Sequence, residues 1–152
     1  MTIIEDTRQQ SGKHNIKHEH FEQLGINLIR SKLPFGDYCL PPEIAIDTKQ
    51  NMLEIVQDMV SDHQRFKREC LAAKDAGCTL IILIENTDGI TDVSDVHTWF
   101  NPRSYYAPKA TQGPQLQRAM ETMHERYGVV FKFCKPEESA EYIKQLLGGV
   151  NG

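Results

Sequence analysis

The chain has 152 residues, 39% hydrophobic and 25% charged, a size and balance that fit one globular domain and exclude a low-complexity or disordered polymer. A formal net charge of −4 argues against a generic nucleic-acid binder, although a nuclease can gather acids at a metal site and surround them with basic residues. The longest apolar run, Thr79 to Ile84, is strand-sized and too short to cross a bilayer, so no membrane association is expected.

The N-terminus, MTIIEDTRQQ, has neither a basic segment nor a long apolar one, so no signal peptide is expected. Cys39, Cys70, Cys78 and Cys134 show no CxxC spacing and read as free thiols in a reducing, cytoplasmic setting.

In chain order, Thr2 to Asp6 is a short β-type run ending in the polar cluster Asp6-Thr7-Arg8-Gln9-Gln10, and Ser11-Gly12 breaks it. From His14 to Leu24, Ile16, Phe21 and Leu24 form a helical stripe that Gly25 stops. His14 and His18 share a face of this helix, but with Lys13, Lys17 and Glu19 around them they read as a solvated surface rather than a zinc site. Ile26 to Leu33 is a strand that Pro34 ends.

Gly36-Asp37-Tyr38-Cys39-Leu40 and Glu43 to Lys49 then form a β-hairpin around Pro41-Pro42. Alternation sends Ile44, Ile46 and Thr48 to one face of its second strand, towards a core, and Ala45, Asp47 and Lys49 to the other. The hairpin brings Asp37 towards Asp47, with Lys49 beside them. Such acids also fit solvated side chains on an edge hairpin. Two carboxylates and a lysine at one sheet edge suit a divalent-metal phosphodiesterase, because hard oxygen ligands favour Mg²⁺ or Mn²⁺ and a substrate phosphate completes the coordination.

Asn51 caps the next helix, with Glu54 as its capping-box partner and Met52, Ile55, Val56 and Met59 inward. Ser61-Asp62-His63-Gln64 starts another, which runs to about Ala76 and buries Phe66, Cys70 and Ala73. Cys78 to Ile84 is a central strand buried on both faces, with Glu85 as the first polar residue beyond the core. The stretch 86–111 is irregular, with a short helix expected around Val93 to Phe100. It interleaves Trp99, Phe100, Tyr105 and Tyr106 with Arg103 and Lys109, a mixture able to stack on bases and touch phosphates or to tuck against its own domain. Gly113-Pro114 opens a helix that Gly128 ends, followed by a strand from Val129 to Phe133 and a helix from Pro136 to Leu147. The alternation predicts an α/β domain with a central mixed sheet and helices on both faces.

The ordered set Asp6-Thr7-Arg8-Gln9, Gly36-Asp37-Tyr38, Ile46-Asp47-Thr48-Lys49 and Arg65-Phe66 resembles the nuclease domain of XPF-type structure-specific endonucleases, a branch of the PD-(D/E)xK superfamily. The resemblance spans almost the whole chain and implies a single restriction-endonuclease-like domain over residues 1–152. It implies a Mg²⁺- or Mn²⁺-dependent endonuclease acting on branched or junction DNA in bacterial or phage recombination or repair. Asp37 and Asp47 become metal ligands, Lys49 the catalytic lysine, Asp6 a group at the metal or its water shell, and Arg8 and Arg65 residues of the active-site face. Arg65 precedes Phe66 and is also placed to pair with Glu69 one turn on.

Two departures stand out. Gln9 replaces a Glu usual in the family, and Asp47-Thr48-Lys49 replaces Glu-Arg-Lys, which removes a neighbouring cation. They support an alternative, a catalytically silent nuclease-fold subunit that binds DNA or pairs with an active partner. The family's larger members add a helix-hairpin-helix module for which this chain has no room, so junction recognition is expected to need a homodimer, a partner protein or the 86–111 stretch.

Overall fold

In a computed structural model, residues 2–6, 15–24, 27–31, 36–40 and 44–148 are described. Arg8, Gln9, His14 and the Pro41-Pro42 turn lie outside them. Six strands form one mixed sheet in the order β2-β1-β3-β4-β5-β6: β1 (Thr2–Asp6), β2 (Asn27–Ser31), β3 (Tyr38–Leu40), β4 (Ile44–Lys49), β5 (Thr79–Glu85) and β6 (Val130–Cys134). β3 pairs antiparallel with both β1 and β4, while β1 with β2, β4 with β5 and β5 with β6 are parallel. The start of β3 therefore lies at the same sheet end as the last residues of β1, β4 and β5.

One face carries α2 (Met52–Met59), α3 (His63–Asp75) and α4 (Gly113–Tyr127); the other carries α1 (Asn15–Gln23) and α5 (Ser139–Gly148). β4 and β5 lie between the two layers. Ala45, Ile82 and Ile84 pack with Met52, Ile55, Phe66, Leu116 and Met120 on one side, and Ile46, Ile81 and Leu83 with Phe21, Ala140, Ile143 and Leu147 on the other. Each such Ile, Leu, Met or Phe side chain contributes about 1.5–3 kcal/mol by leaving water. β4 is thus not a strand with one wet face, as simple alternation suggests: helices cover both sides, so Asp47 is also buried.

Local signals explain the boundaries. Asn51 Oδ1 accepts from the Glu54 N–H at 3.0 Å, while Glu54 reaches back one residue further than expected, to the Gln50 N–H at 2.9 Å. Pro114 stands in the first turn of α4, and Gly128 ends it in the left-handed region at φ 71°.

The stretch 86–111 is ordered by local hydrogen bonds. Asn86 is buried, accepts from the Asp88 and Ile90 N–H groups and donates to the Ile90 carbonyl. The short helix expected around Val93 to Phe100 forms as a 3-10 helix, Val93–Thr98, capped by Asp92, and Pro102–Tyr105 forms another capped by Asn101. Gly113 lets the first segment approach α4: a Cβ there would lie 2.6 Å from the Val96 carbonyl oxygen and 2.7 Å from that of Trp99. Trp99 is buried, whereas Phe100, Tyr105 and Tyr106 are exposed, with Phe100 and Tyr105 edge to face at 5.3 Å.

The α1 surface departs from expectation as well. Lys17 is buried in an ion pair with Glu85, and His18 Nε2 lies 2.6 Å from the buried Glu5 carboxylate. Burial of Lys17 follows from Glu85, a carboxylate at the end of an otherwise apolar strand that needs a partner. Cys70, Cys78 and Cys134 are free thiols, and no helix among the described residues is long and apolar enough to cross a membrane.

Candidate active site

The hairpin sets Asp37 against Asp47. Tyr38 pairs with Ile46, so one step further along the register residue 37 faces residue 47. Gly36 makes the turn possible at φ 73°; a Cβ there would stand 3.2 Å from both the Ala45 Cβ and the Ile46 carbonyl oxygen. The Asp37 N–H then donates to that Ile46 oxygen at 2.6 Å. Thr48 fixes the carboxylate, donating to Asp37 Oδ2 from its N–H at 2.6 Å and from its hydroxyl at 3.0 Å. Burial, followed by the charge of Asp47 and a hydrogen bond with it, holds the Asp37 carboxyl well above the ordinary aspartate value against the opposing pull of Thr48.

Lys49 closes the group. Its Nζ lies 3.3 Å from Asp47 Oδ2 and 2.8 Å from Asp58 Oδ2, with the side chain mostly buried. Burial alone disfavours its charge, but the carboxylates of Asp47 and Asp58 outweigh burial and hold the ammonium above the ordinary lysine value. Asp58 comes from α2 and is itself 2% exposed; burial raises its carboxyl and Lys49 opposes the rise.

Arg65, at the start of α3, pairs with Asp58 Oδ1 at 3.3 Å and Asp62 Oδ2 at 3.5 Å. The expected Arg65–Glu69 pair does not form. Glu69 instead accepts from the Gly36 N–H at 2.8 Å, because that side of α3 faces the chain where it enters the hairpin. Burial first, then the charge of Asp47, pushes its carboxyl up to about 7.

Of the residues expected at the site, Asp37, Asp47, Lys49 and Arg65 are brought together. Asp6 closes β1 beyond Glu5, which pairs with Tyr38, so its backbone reaches the same sheet end. Arg8 is outside the described residues, and Arg103 lies on the 3-10 segment Pro102–Tyr105. Three further participants were missed by sequence reasoning: Thr48, Asp58 and Glu69. A signal existed for Asp58, which stands at helical spacing from Met52 and Ile55 on a buried stripe. Thr48 reads from sequence as the loss of an arginine; in the structure its hydroxyl holds Asp37.

Among the described residues, no three His, Cys, Asp or Glu side chains are grouped as a metal cage. The described arrangement is two facing carboxylates and a charged lysine, backed by a buried carboxylate.

Comparisons with known proteins bear on the fold and the family. No curated protein matches the chain. It is similar in fold to XPF from Aeropyrum pernix, with TM-score 0.71 and 19% identity over 100% of this chain and 62% of that one. It is likewise similar to XPF from Aeropyrum pernix in complex with DNA, with TM-score 0.70 and 20% identity over 99% of this chain and 64% of that one. The chain thus spans less than two thirds of the length of those chains. The profile of the ERCC4 domain family matches residues 5–146, nearly the whole chain. The chain belongs to the ERCC4 domain family.

Proposed function

We propose that this domain hydrolyses phosphodiester bonds in DNA, with Mg²⁺ or Mn²⁺ held by Asp37 and Asp47, and with branched or junction DNA as the substrate. The observation that carries the reading is the placement of Lys49, charged and mostly buried, between Asp47 and Asp58 at the sheet end where Asp37 stands. The donor set fits a hard divalent cation. Two hydrogen-bonded or ion-paired carboxylates face each other, the charge of one raises the other, and a cation between them would relieve that repulsion. Mg²⁺ is commonly bound by one or two carboxylates plus substrate phosphates, so the pair suffices without a full protein cage.

The bound cation would polarise the phosphoryl oxygen and lower the pKa of its water. The chain's own groups do the rest. Thr48 keeps Asp37 in one orientation through two hydrogen bonds. Asp58 keeps the Lys49 ammonium charged and aimed at the site, where it stabilises negative charge developing on the phosphate or orients the water. Arg65, 60% exposed at its side chain, stands at the rim within reach of a phosphate. Asp6 is proposed as a further group at the cation or its waters, and Arg8 as a contact on the same face. Phe100, Tyr105 and Tyr106, exposed beside Arg103 and near Lys109, supply aromatic faces for unpaired bases. The DNA-bound Aeropyrum pernix relative supports DNA as the ligand. A role in recombination or repair, with a homodimer or partner completing junction recognition, is part of the same proposal.

A second reading, a silent nuclease-fold subunit that binds DNA, is favoured by the contact of Lys49 with Asp47, which ties the ammonium to a candidate ligand. Labelled branched, flapped and plain duplex DNA, each incubated with Mn²⁺ or with EDTA beside an Asp37→Ala variant, separates the two. The enzyme reading expects metal-dependent cutting, favouring branched substrates and lost in the variant. Binding without cutting in any metal contradicts it and supports the silent subunit.

A further inference from the structure

A second cationic feature lies away from the two carboxylates. Between α3 and α4 runs a groove of about 320 Å³ whose walls include His63, Lys67, Arg118 and Arg126, over a floor of Met123 and Tyr127. No carboxylate lines it among the described residues, in a chain whose formal net charge is −4. Glu121, on the same helix, accepts a hydrogen bond from Gln117 instead of turning to these cations. Lys67, Arg118 and Arg126 make no side-chain ion pair among the described residues, whereas Arg65, only two residues from Lys67, is held by two carboxylates. Lys74 extends the row, its Nζ 3.5 Å from the Arg126 carbonyl oxygen, which sets the last turns of the two helices side by side.

We propose that this groove binds the phosphodiester backbone of a DNA arm leading away from the active site; the inference rests on the nuclease reading above. The charge pattern favours a strand over a small anion. The cations do not converge on a point but follow the seam from Lys67 to Lys74, about 10 Å at 1.5 Å per residue, or the rise of about three base pairs. The row also begins at the end of α3 that presents Arg65 to the active site, so one backbone can reach both. Arg and Lys neutralise phosphates without reading sequence, and Arg forks suit the phosphate oxygens.

The test measures binding of a labelled duplex to the intact chain in EDTA across a range of salt concentrations. Wild type is compared with K67A/R118A/R126A and, should the triple variant melt early, with R118A/R126A. The groove predicts at least a tenfold weaker affinity at low salt for the triple variant. It also predicts a slope of log K against log salt shallower by about 2–3, since each neutralised phosphate contributes about 0.9. Metal-dependent cutting at saturating DNA should be unchanged, because none of these residues belongs to the active site. Variants that fold and match wild type in affinity and slope overturn the groove while leaving the nuclease reading in place. A wild type that neither binds nor cuts DNA overturns both. Inorganic phosphate serves as a competitor: displacement of duplex at low millimolar phosphate, with no change of slope in the variants, points to a small-anion site and also overturns the proposal.

Discussion

Asp58 Oδ2 and Lys49 Nζ lie 2.8 Å apart, on neighbouring elements and almost out of water. A buried ion pair gives little net stability, but losing one member leaves the other charge stranded. Lys49 keeps Asp47 at 3.3 Å, which softens the loss. Asp58→Asn is therefore expected to cost about 2–3 kcal/mol, below the usual 3–5 for breaking a buried pair. Because the lysine is then drawn wholly to Asp47, kcat for DNA cleavage should fall while KM changes little. Denaturant melts and steady-state kinetics check this; wild-type kcat in the variant would show that Lys49 needs no such support.

Glu69 gives the site a pH dependence. Its carboxyl is pushed up from 4.5 to about 7, so the folded state holds a proton over a range where the unfolded state has lost it. That contribution to stability is fully present below about pH 4.5 and is lost as pH rises through about 7. Asp37, also raised, acts in the same direction. Without metal, wild type should melt lower at pH 8 than at pH 5.5. Glu69→Gln keeps an acceptor for the Gly36 N–H and should flatten the profile, gaining on the order of 1–2 kcal/mol at pH 8. Parallel profiles for the two proteins would contradict this assignment.

Gly36→Ala tests the turn that positions Asp37. A left-handed alanine costs roughly 1–2 kcal/mol, and its Cβ would press on Ala45 and the Ile46 carbonyl at 3.2 Å. We expect a stability loss of about 1–3 kcal/mol together with weaker Mn²⁺ binding, since the Asp37–Ile46 hydrogen bond must shift. Calorimetric metal titration of the folded variant should show the weakening; unchanged affinity would mean that the turn is not what places Asp37.

Lys17 and Glu85 make a further pair, on the opposite face of the sheet. Lys17→Met should destabilise by about 3–5 kcal/mol, while Lys17→Met with Glu85→Met should recover most of it, because no lone buried charge remains. A double variant as unstable as the single one would place the effect in packing rather than charge.

Much of this was legible in the chain. The Gly36–Lys49 hairpin, the doubly buried strand ending at Glu85 and the Gly128 stop follow from local rules, and the structure has each of them. The ordered motifs pointed to the family that the profile match shows. What local rules did not give were partnerships across long separations. Lys17 reads as a solvated helix lysine until Glu85, 68 residues on, is set beside it. Glu69 reads as the partner of Arg65 because both lie one turn apart on α3, yet the Gly36 N–H, 33 residues earlier, takes it. Thr48 looks like a missing arginine until the register brings its hydroxyl to Asp37. The aromatic stretch divides for the same reason: Trp99 has a core to enter, and Phe100, Tyr105 and Tyr106 do not.

The proposal that Asp37, Asp47 and Lys49 form a metal-dependent site that cuts DNA can be put to single-turnover cleavage of a pre-bound, labelled branched DNA on addition of Mn²⁺, with wild type, Asp37→Asn and Lys49→Met compared side by side. Wild type should give product only in the presence of metal, and both variants should be slower by about 10²-fold or more at undiminished DNA binding. Cleavage that persists in EDTA, or proceeds at the wild-type rate in Asp37→Asn, would contradict it.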